Sequence, residues 1–378
     1  MHTIRILLLL YKKNHMIKKT QTHRGNLKFF LFSFLSGWII LSSCQVDLSS
    51  QPLLEPSVAI ATEMPAVTEL PNFQETAGVD AAENQPLLPL YIEALRNRKY
   101  PASEITIEQE LNPGINYQQF IAWYLSDGFR IYGLLTIPDE AKPEEGYPTI
   151  LFLHGYIPPD TYITTADYVA TQDGLARSGF VTFKPDMRGH GRSEGEATGA
   201  HFSETYIIDS LNALSALLTY DKVDAERLGV WGHSNGGLIG LRMAVVTDQI
   251  RASVFWAGVV GSYVDMLETY YERIDFLQRL APPVLEEYGL PSENPDYWLR
   301  IDPFGYLESV SAPVQFHHGN SDSSVPVELS ISLYQALLAN GKDAQLFQYE
   351  GMDHNFYGDA FDLAMSRTVE FFKSNLAK

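Results

Sequence analysis

From residue 148 onward, short continuous apolar runs alternate with longer stretches whose apolar residues recur every three or four positions. Continuous runs of this length read as strands covered on both faces, and the three-to-four spacing reads as helices buried along one side. Strands are predicted around 148–153, 180–184, 227–231, 252–256, 312–319 and 344–349, and helices over 165–178, 204–219, 235–246, 328–340 and 359–376. Such alternation predicts an α/β fold with a doubly wound, mainly parallel sheet. Upstream, 90–99 reads as a short helix, and 104–111, 117–125 and 129–137 read as strands. Ser126-Asp127-Gly128 marks a hairpin between the last two. Between about 260 and 310 the alternation breaks and aromatics accumulate. This segment is predicted to be a small helical cap insertion, a lid over the site with a few aromatics facing the pocket. Most of its aromatics are expected to pack onto the domain.

Candidate chemistry falls at the carboxyl ends of three predicted strands. Gly232-His233-Ser234-Asn235-Gly236 joins a predicted strand to a predicted helix. A serine at so sharp a turn is pushed out of the sheet with its hydroxyl exposed, and flanking glycines avoid backbone collisions. Ser234 is therefore the candidate nucleophile. A serine hydroxyl needs a base and a group that orients the base. Asp322 lies in a loop of small residues after the 312–319 strand, and His354 in the loop after the 344–349 strand. His354 would accept the proton of Ser234, and Asp322 would hold the imidazole tautomer. Asp353, beside His354, is read as shaping the loop, and Asp302 as capping the segment that begins at Pro303. His317 and His318 are read as packing or supporting residues. Backbone N–H groups of Tyr156, after His154-Gly155, and of Asn235 would form the oxyanion hole. His154 is expected to brace its loop by hydrogen bonding rather than act as a base. No Cys/His cluster with metal-ligand spacing is present, so neither a metal nor a cofactor is implied.

With these residues in place, the chain resembles the α/β-hydrolases, and within them the prolyl oligopeptidase (S9) type of catalytic domain and its esterase relatives. The resemblance spans about 105–378. It is carried by His154-Gly155-Tyr156, by Asp186-Met187-Arg188-Gly189-His190-Gly191-Arg192-Ser193, and by the Ser234 turn. The Asp322 loop, His354, and the lead-in Asp302-Pro303-Phe304-Gly305-Tyr306-Leu307 followed by Ala312-Pro313-Val314 complete it. It implies a serine hydrolase that forms an acyl-enzyme and cleaves a carboxylic ester or a small peptide or amide. The family's β-propeller has no counterpart: about sixty residues separate Cys44 from the catalytic region, and each blade needs about 40–50. The alternative is a non-catalytic lipoprotein that keeps this fold for binding or scaffolding.

The N-terminal segment suggests where the protein works. Residues 1–43 hold seven Lys or Arg and no acid, and the apolar run 29–41 ends in Leu41-Ser42-Ser43-Cys44. The run is shorter than the ~20 residues of a membrane span, and its charged flank reads as a signal peptide. Its ending resembles a bacterial lipobox, so lipidation at Cys44 and export to a bacterial membrane, on its periplasmic or extracellular face, are expected. Met16 also begins a complete signal. Residues 44–87 read as an acidic, proline-rich, disordered tether, and 88–378 as the catalytic domain. Loss of residues 1–43 would move the formal charge from −19 to −26. That charge disfavours nucleic acid and anionic membrane surfaces, so a lipid would have to supply the anchoring. The sequence leaves the oligomeric state open.

Overall fold

The structure is a computed structural model and describes residues 87–377. The predicted signal peptide, Cys44 and nearly all of the tether lie outside the described residues. Helix α1 (Ile92–Asn97) precedes strands β1 (Thr106–Glu110), β2 (Tyr117–Ser126) and β3 (Phe129–Pro138). These form an antiparallel meander. The β2–β3 hairpin turns at Asp127 and Gly128, both at positive φ, as a two-residue connection with the twist of its strands requires. Then follow β4 (Tyr147–Leu153), α2 (Val169–Arg177), β5 (Val181–Pro185), α3 (Thr205–Leu218), β6 (Val223–His233), α4 (Asn235–Val246) and β7 (Ala252–Trp256). After an insertion that contains α5 (Asp275–Tyr288) and α6 (Pro295–Ile301), the last elements are β8 (Val314–Gly319), α7 (Val327–Ala339), β9 (Ala344–Tyr349) and α8 (Gly358–Asn375).

The nine strands of the described residues form one sheet in the order β1-β2-β3-β5-β4-β6-β7-β8-β9. Pairing is antiparallel through β3–β5 and parallel from β5 to β9. The period of two along each strand divides the core. Ile150, Phe152, Trp231 and Val254 face the layer that holds Leu175 of α2 and Phe372 of α8. Leu151, Leu153, Val230 and Phe316 face the layer built from α3, α4 and α7. Helices thus cover both faces, and the fold is that of the α/β-hydrolases. The order reverses at β4: the chain moves to β5 on one side and to β6 on the other. Sites in open α/β sheets form at such a crevice, beyond the carboxyl ends of the strands.

The insertion between β7 and β8 is helical. It holds a π-helical turn (Asp265–Thr269), a 3₁₀ turn (Tyr271–Arg273), α5 (Asp275–Tyr288), α6 (Pro295–Ile301) and a 3₁₀ segment (Pro303–Ser309). Its aromatics pack inward and on one another. Tyr288 and Tyr297 stack with centroids 3.8 Å apart. Tyr263 and Trp298 are buried. Arg242 of α4, fully buried, donates to the carbonyls of Ala200 (2.9 Å) and Ile301 (3.4 Å) and to the Tyr263 hydroxyl. This fastens the insertion to the domain. Asp302 caps the 3₁₀ segment by accepting from Phe304 N–H, and also accepts from Tyr263 N–H.

Candidate active site

Ser234 sits between β6 and α4 with φ 53° and ψ −116°. A non-glycine residue in the left-handed region is strained, and the turn is held from several sides. Its N–H donates to Trp256 O, and its carbonyl accepts from the N–H groups of Gly237 and Val259, each at 3.0 Å. The flanking glycines are sterically required. A Cβ at Gly236 would lie 2.0 Å from Leu153 O, and one at Gly232 would lie 2.4 Å from Gly236 O.

The acid and base loops are joined to each other. Asn320 N–H donates to Tyr349 O (3.1 Å), Ser321 N–H to Met352 O (3.0 Å), and Ser323 N–H to Asp353 Oδ1 (2.8 Å). Asp353 also accepts from His354 N–H at 2.8 Å, so its carboxylate shapes the loop, whereas the partner of His354 Nδ1 is Asp322. Asp322 faces the ring. Its Oδ2 is 2.9 Å from His354 Nδ1 and 3.2 Å from His318 Nε2. Its Oδ1 accepts from Ser324 and Val325 N–H, each at 2.8 Å. Burial pushes this carboxyl up, but hydrogen bonds from His318 and His354 and the Val325 N–H outweigh it, and the net result lies well below the usual carboxylate range. His318 is in turn fixed by Ser330 Oγ at 2.7 Å and Val325 O at 3.0 Å. His317 belongs to the other face, between Gln315 and Tyr349.

A cavity of about 390 Å³ gathers these parts. Tyr156, Ile157, Asp167, Tyr168, His233, Ser234, His354 and Asn355 line it. None of its lining residues comes from 260–310, so the insertion's aromatics do not line this cavity. The N–H groups of Tyr156 and Asn235 meet no acceptor among the described residues. Asn235 is the first residue of α4, where helical N–H groups have no partner within the helix. By contrast Gly155 N–H is occupied, donating to the Tyr168 oxygen at 3.0 Å. His154 braces this loop as expected: its Nδ1 is 2.7 Å from Gly155 O, and burial lowers its pKa to about 3.

The Asp186–Ser193 segment is held by buried hydrogen bonds. Asp186 accepts from Tyr162 OH (2.9 Å) and Thr164 Oγ1 (2.6 Å), and burial raises its pKa to about 6. Arg188 makes a buried pair with Asp209 of α3 at 2.6 Å. Among the described residues no group of three or more His, Cys, Asp or Glu is placed to hold a metal.

The sequence model of the prolyl oligopeptidase family matches residues 167–378. The chain belongs to this family. The uncharacterized peptidase YtmA of Bacillus subtilis is 29% identical over 246 residues, covering 65% of this chain and 89% of that protein. Among solved structures, the acetyl xylan esterase from Paenibacillus sp. R4 superposes with a TM-score of 0.57 at 19% identity, covering 74% of this chain and 91% of that one. An acylaminoacyl peptidase in complex with Z-Gly-Gly-Phe-chloromethyl ketone gives 0.57 at 23% identity, covering 70% of this chain but 42% of that one. These structures share the fold. The propeller of larger members is absent among the described residues of this family member. The family and its relatives make the protein a hydrolase.

Sequence reasoning missed Tyr168 and the use of His233. Tyr168 falls inside a predicted helix, whereas the structure begins α2 at Val169 and holds Tyr168 at φ 61°. His233 stands beside Ser234, but nothing in the sequence says which groups its ring meets.

Proposed function

We propose that the protein is a serine hydrolase that cleaves a carboxylic ester or a small peptide or amide through an acyl-enzyme. The observation that carries this reading is the convergence of Ser234 and His354 on one cavity, with Asp322 behind His354 Nδ1 at 2.9 Å. The ionised Asp322 accepts a hydrogen bond from His354 Nδ1–H, which leaves Nε2 as the basic nitrogen. As Ser234 Oγ attacks the substrate carbonyl carbon, Nε2 takes its proton. The resulting imidazolium is stabilised by Asp322. The carbonyl oxygen becomes an oxyanion, met by the free N–H groups of Tyr156 and Asn235 and by the positive end of α4. Collapse expels the alcohol or amine, which receives the proton from His354. Water, deprotonated by the same nitrogen, then releases the acid and restores Ser234.

Lipidation at Cys44 and display on the periplasmic or extracellular face of a bacterial membrane belong to the same proposal. The 29–44 pattern supports them. Both peptidases and an esterase occur among the similar proteins. A panel of short-chain p-nitrophenyl esters and aminoacyl-p-nitroanilides divides the two activities. Hydrolysis of the esters alone makes the protein an esterase, and turnover of the anilides makes it a peptidase. Turnover of neither by folded protein contradicts the proposed function and leaves a binding role.

A further inference from the structure

The strands that bring Ser234 and His354 to the cavity are not neighbours: β7 and β8 lie between β6 and β9. The distance from nucleophile to base therefore depends on loops from separated strands. A direct tie between them runs through His233. Its Nε2 lies 3.0 Å from the backbone carbonyl of His354, and its Nδ1 lies 2.7 Å from the Tyr168 hydroxyl. The Tyr168 oxygen in turn receives Gly155 N–H.

Only one arrangement of protons satisfies this chain. A carbonyl oxygen can only accept, so His233 Nε2 carries the hydrogen. Nδ1 is then the acceptor, and the Tyr168 hydroxyl donates to it. That leaves the Tyr168 oxygen lone pairs for Gly155 N–H. A neutral imidazole is both donor and acceptor, as this position requires, whereas an imidazolium would present two donors. Burial keeps His233 neutral, lowering it to about 3, and burial raises the Tyr168 phenol so that it keeps its proton.

We propose that Tyr168 is a positioning residue for hydrolysis. Through His233 it ties the loop after β4, the Ser234 turn and the His354 loop into one hydrogen-bonded chain. The chain fixes the spacing of Ser234 and His354. It also occupies Gly155 N–H, so the loop after β4 presents Tyr156 N–H to the oxyanion. This inference rests on the reading of Ser234 and His354 given above.

Two further observations fit a residue held for a purpose. Tyr168 adopts φ 61°, which a side chain rarely does unless its surroundings impose it. Beneath it, the buried Lys184 ammonium donates to the carbonyls of Thr164 (3.0 Å) and Asp167, pinning the approach to Tyr168. The ring itself packs edge-on against Phe152 and Trp231 at 5.9 and 6.2 Å. Tyr168→Phe keeps that packing and the same backbone demand while removing only the hydroxyl.

The test uses the full chain and two readouts. In wild-type protein the histidine ring ¹⁵N spectrum should show His233 as the neutral Nε2–H tautomer. In Tyr168→Phe, kcat for p-nitrophenyl acetate should fall about 10- to 100-fold with KM altered less than about threefold. A packing role alone would lower the melting temperature and leave kcat in place. An Nδ1–H tautomer in wild type, or a folded Tyr168→Phe with kcat within about twofold of wild type, overturns the proposal. Wild-type protein that neither hydrolyses the ester nor reacts with a fluorophosphonate instead overturns the reading of Ser234, and this proposal with it. Should the variant fail to fold, the tautomer decides.

Discussion

Asp322 is buried and held at both of its carboxylate oxygens. Each carboxylate oxygen receives two donors, and those on Oδ2 are ring nitrogens of His318 and His354. An amide in its place could accept the backbone donors at Oδ1, but its NH₂ would then face both rings. His354 would be driven to the wrong tautomer. Asp322→Asn is expected to lower kcat about 10⁴-fold while the protein stays folded. Steady-state ester kinetics with circular dichroism of the variant check this, and activity within tenfold of wild type speaks against Asp322 as the orienting acid. The sequence could point to Asp322 because order and loop position constrain it. It could not point to Tyr168, since a tyrosine inside a predicted helix has no pattern that separates a hydrogen-bonding role from a packed ring. His318 falls between: its place in an apolar strand marks it as buried, and only the structure shows that it touches Asp322.

At the level of elements, the turn from β6 into α4 depends on close backbone approach. A methyl group at Gly236 would meet the carbonyl of Leu153, a neighbour that cannot swing away as a side chain could. Gly236→Ala is expected to cost about 2–4 kcal/mol and to displace Ser234 from the cavity. Urea denaturation and ester hydrolysis read the two effects, and a variant matching wild type in both would show that the turn has more room than its geometry allows. Elements of this kind are legible because continuous apolar runs and three-to-four spacing directly record burial. The nine strands fall within a few residues of their predicted positions, and α4 matches 235–246. The insertion was less legible. Its helical character was expected, but aromatics that pack together and aromatics that face a pocket have the same composition. Pro282 and Pro283 inside α5 and the π-helical turn at Asp265–Thr269 have no simple periodicity.

For the whole molecule, buried ionisable groups set the response to acid. His154, His201, His233 and His317 are buried, and desolvation lowers each to about 3. As pH falls below about 6.5, the unfolded chain binds protons that the folded chain refuses, so acid favours unfolding across that window. Asp322 acts in the same sense at lower pH, because its depressed folded pKa gives stability that is lost on protonation. Asp186 and Asp302 oppose this. Burial raises both to about 6, so between 6 and 3.8 the folded chain binds the proton first and gains stability as pH falls. The histidines are more numerous and shifted further, so they prevail. Tm is expected to drop by about 5 °C or more between pH ~7 and ~4.5. Scanning calorimetry across that range checks it, and a flat or rising Tm would show that the histidines are not buried as described.

The central claim is that Ser234 is a nucleophile activated by His354. Reaction of purified protein, residues 45–378, with a fluorophosphonate probe tests it most directly, followed by mass-spectrometric mapping of the adduct. The account predicts one adduct, on Ser234, absent from Ser234→Ala and strongly slowed in His354→Ala. An adduct elsewhere, labelling that persists in Ser234→Ala, or no adduct on folded wild-type protein would contradict it.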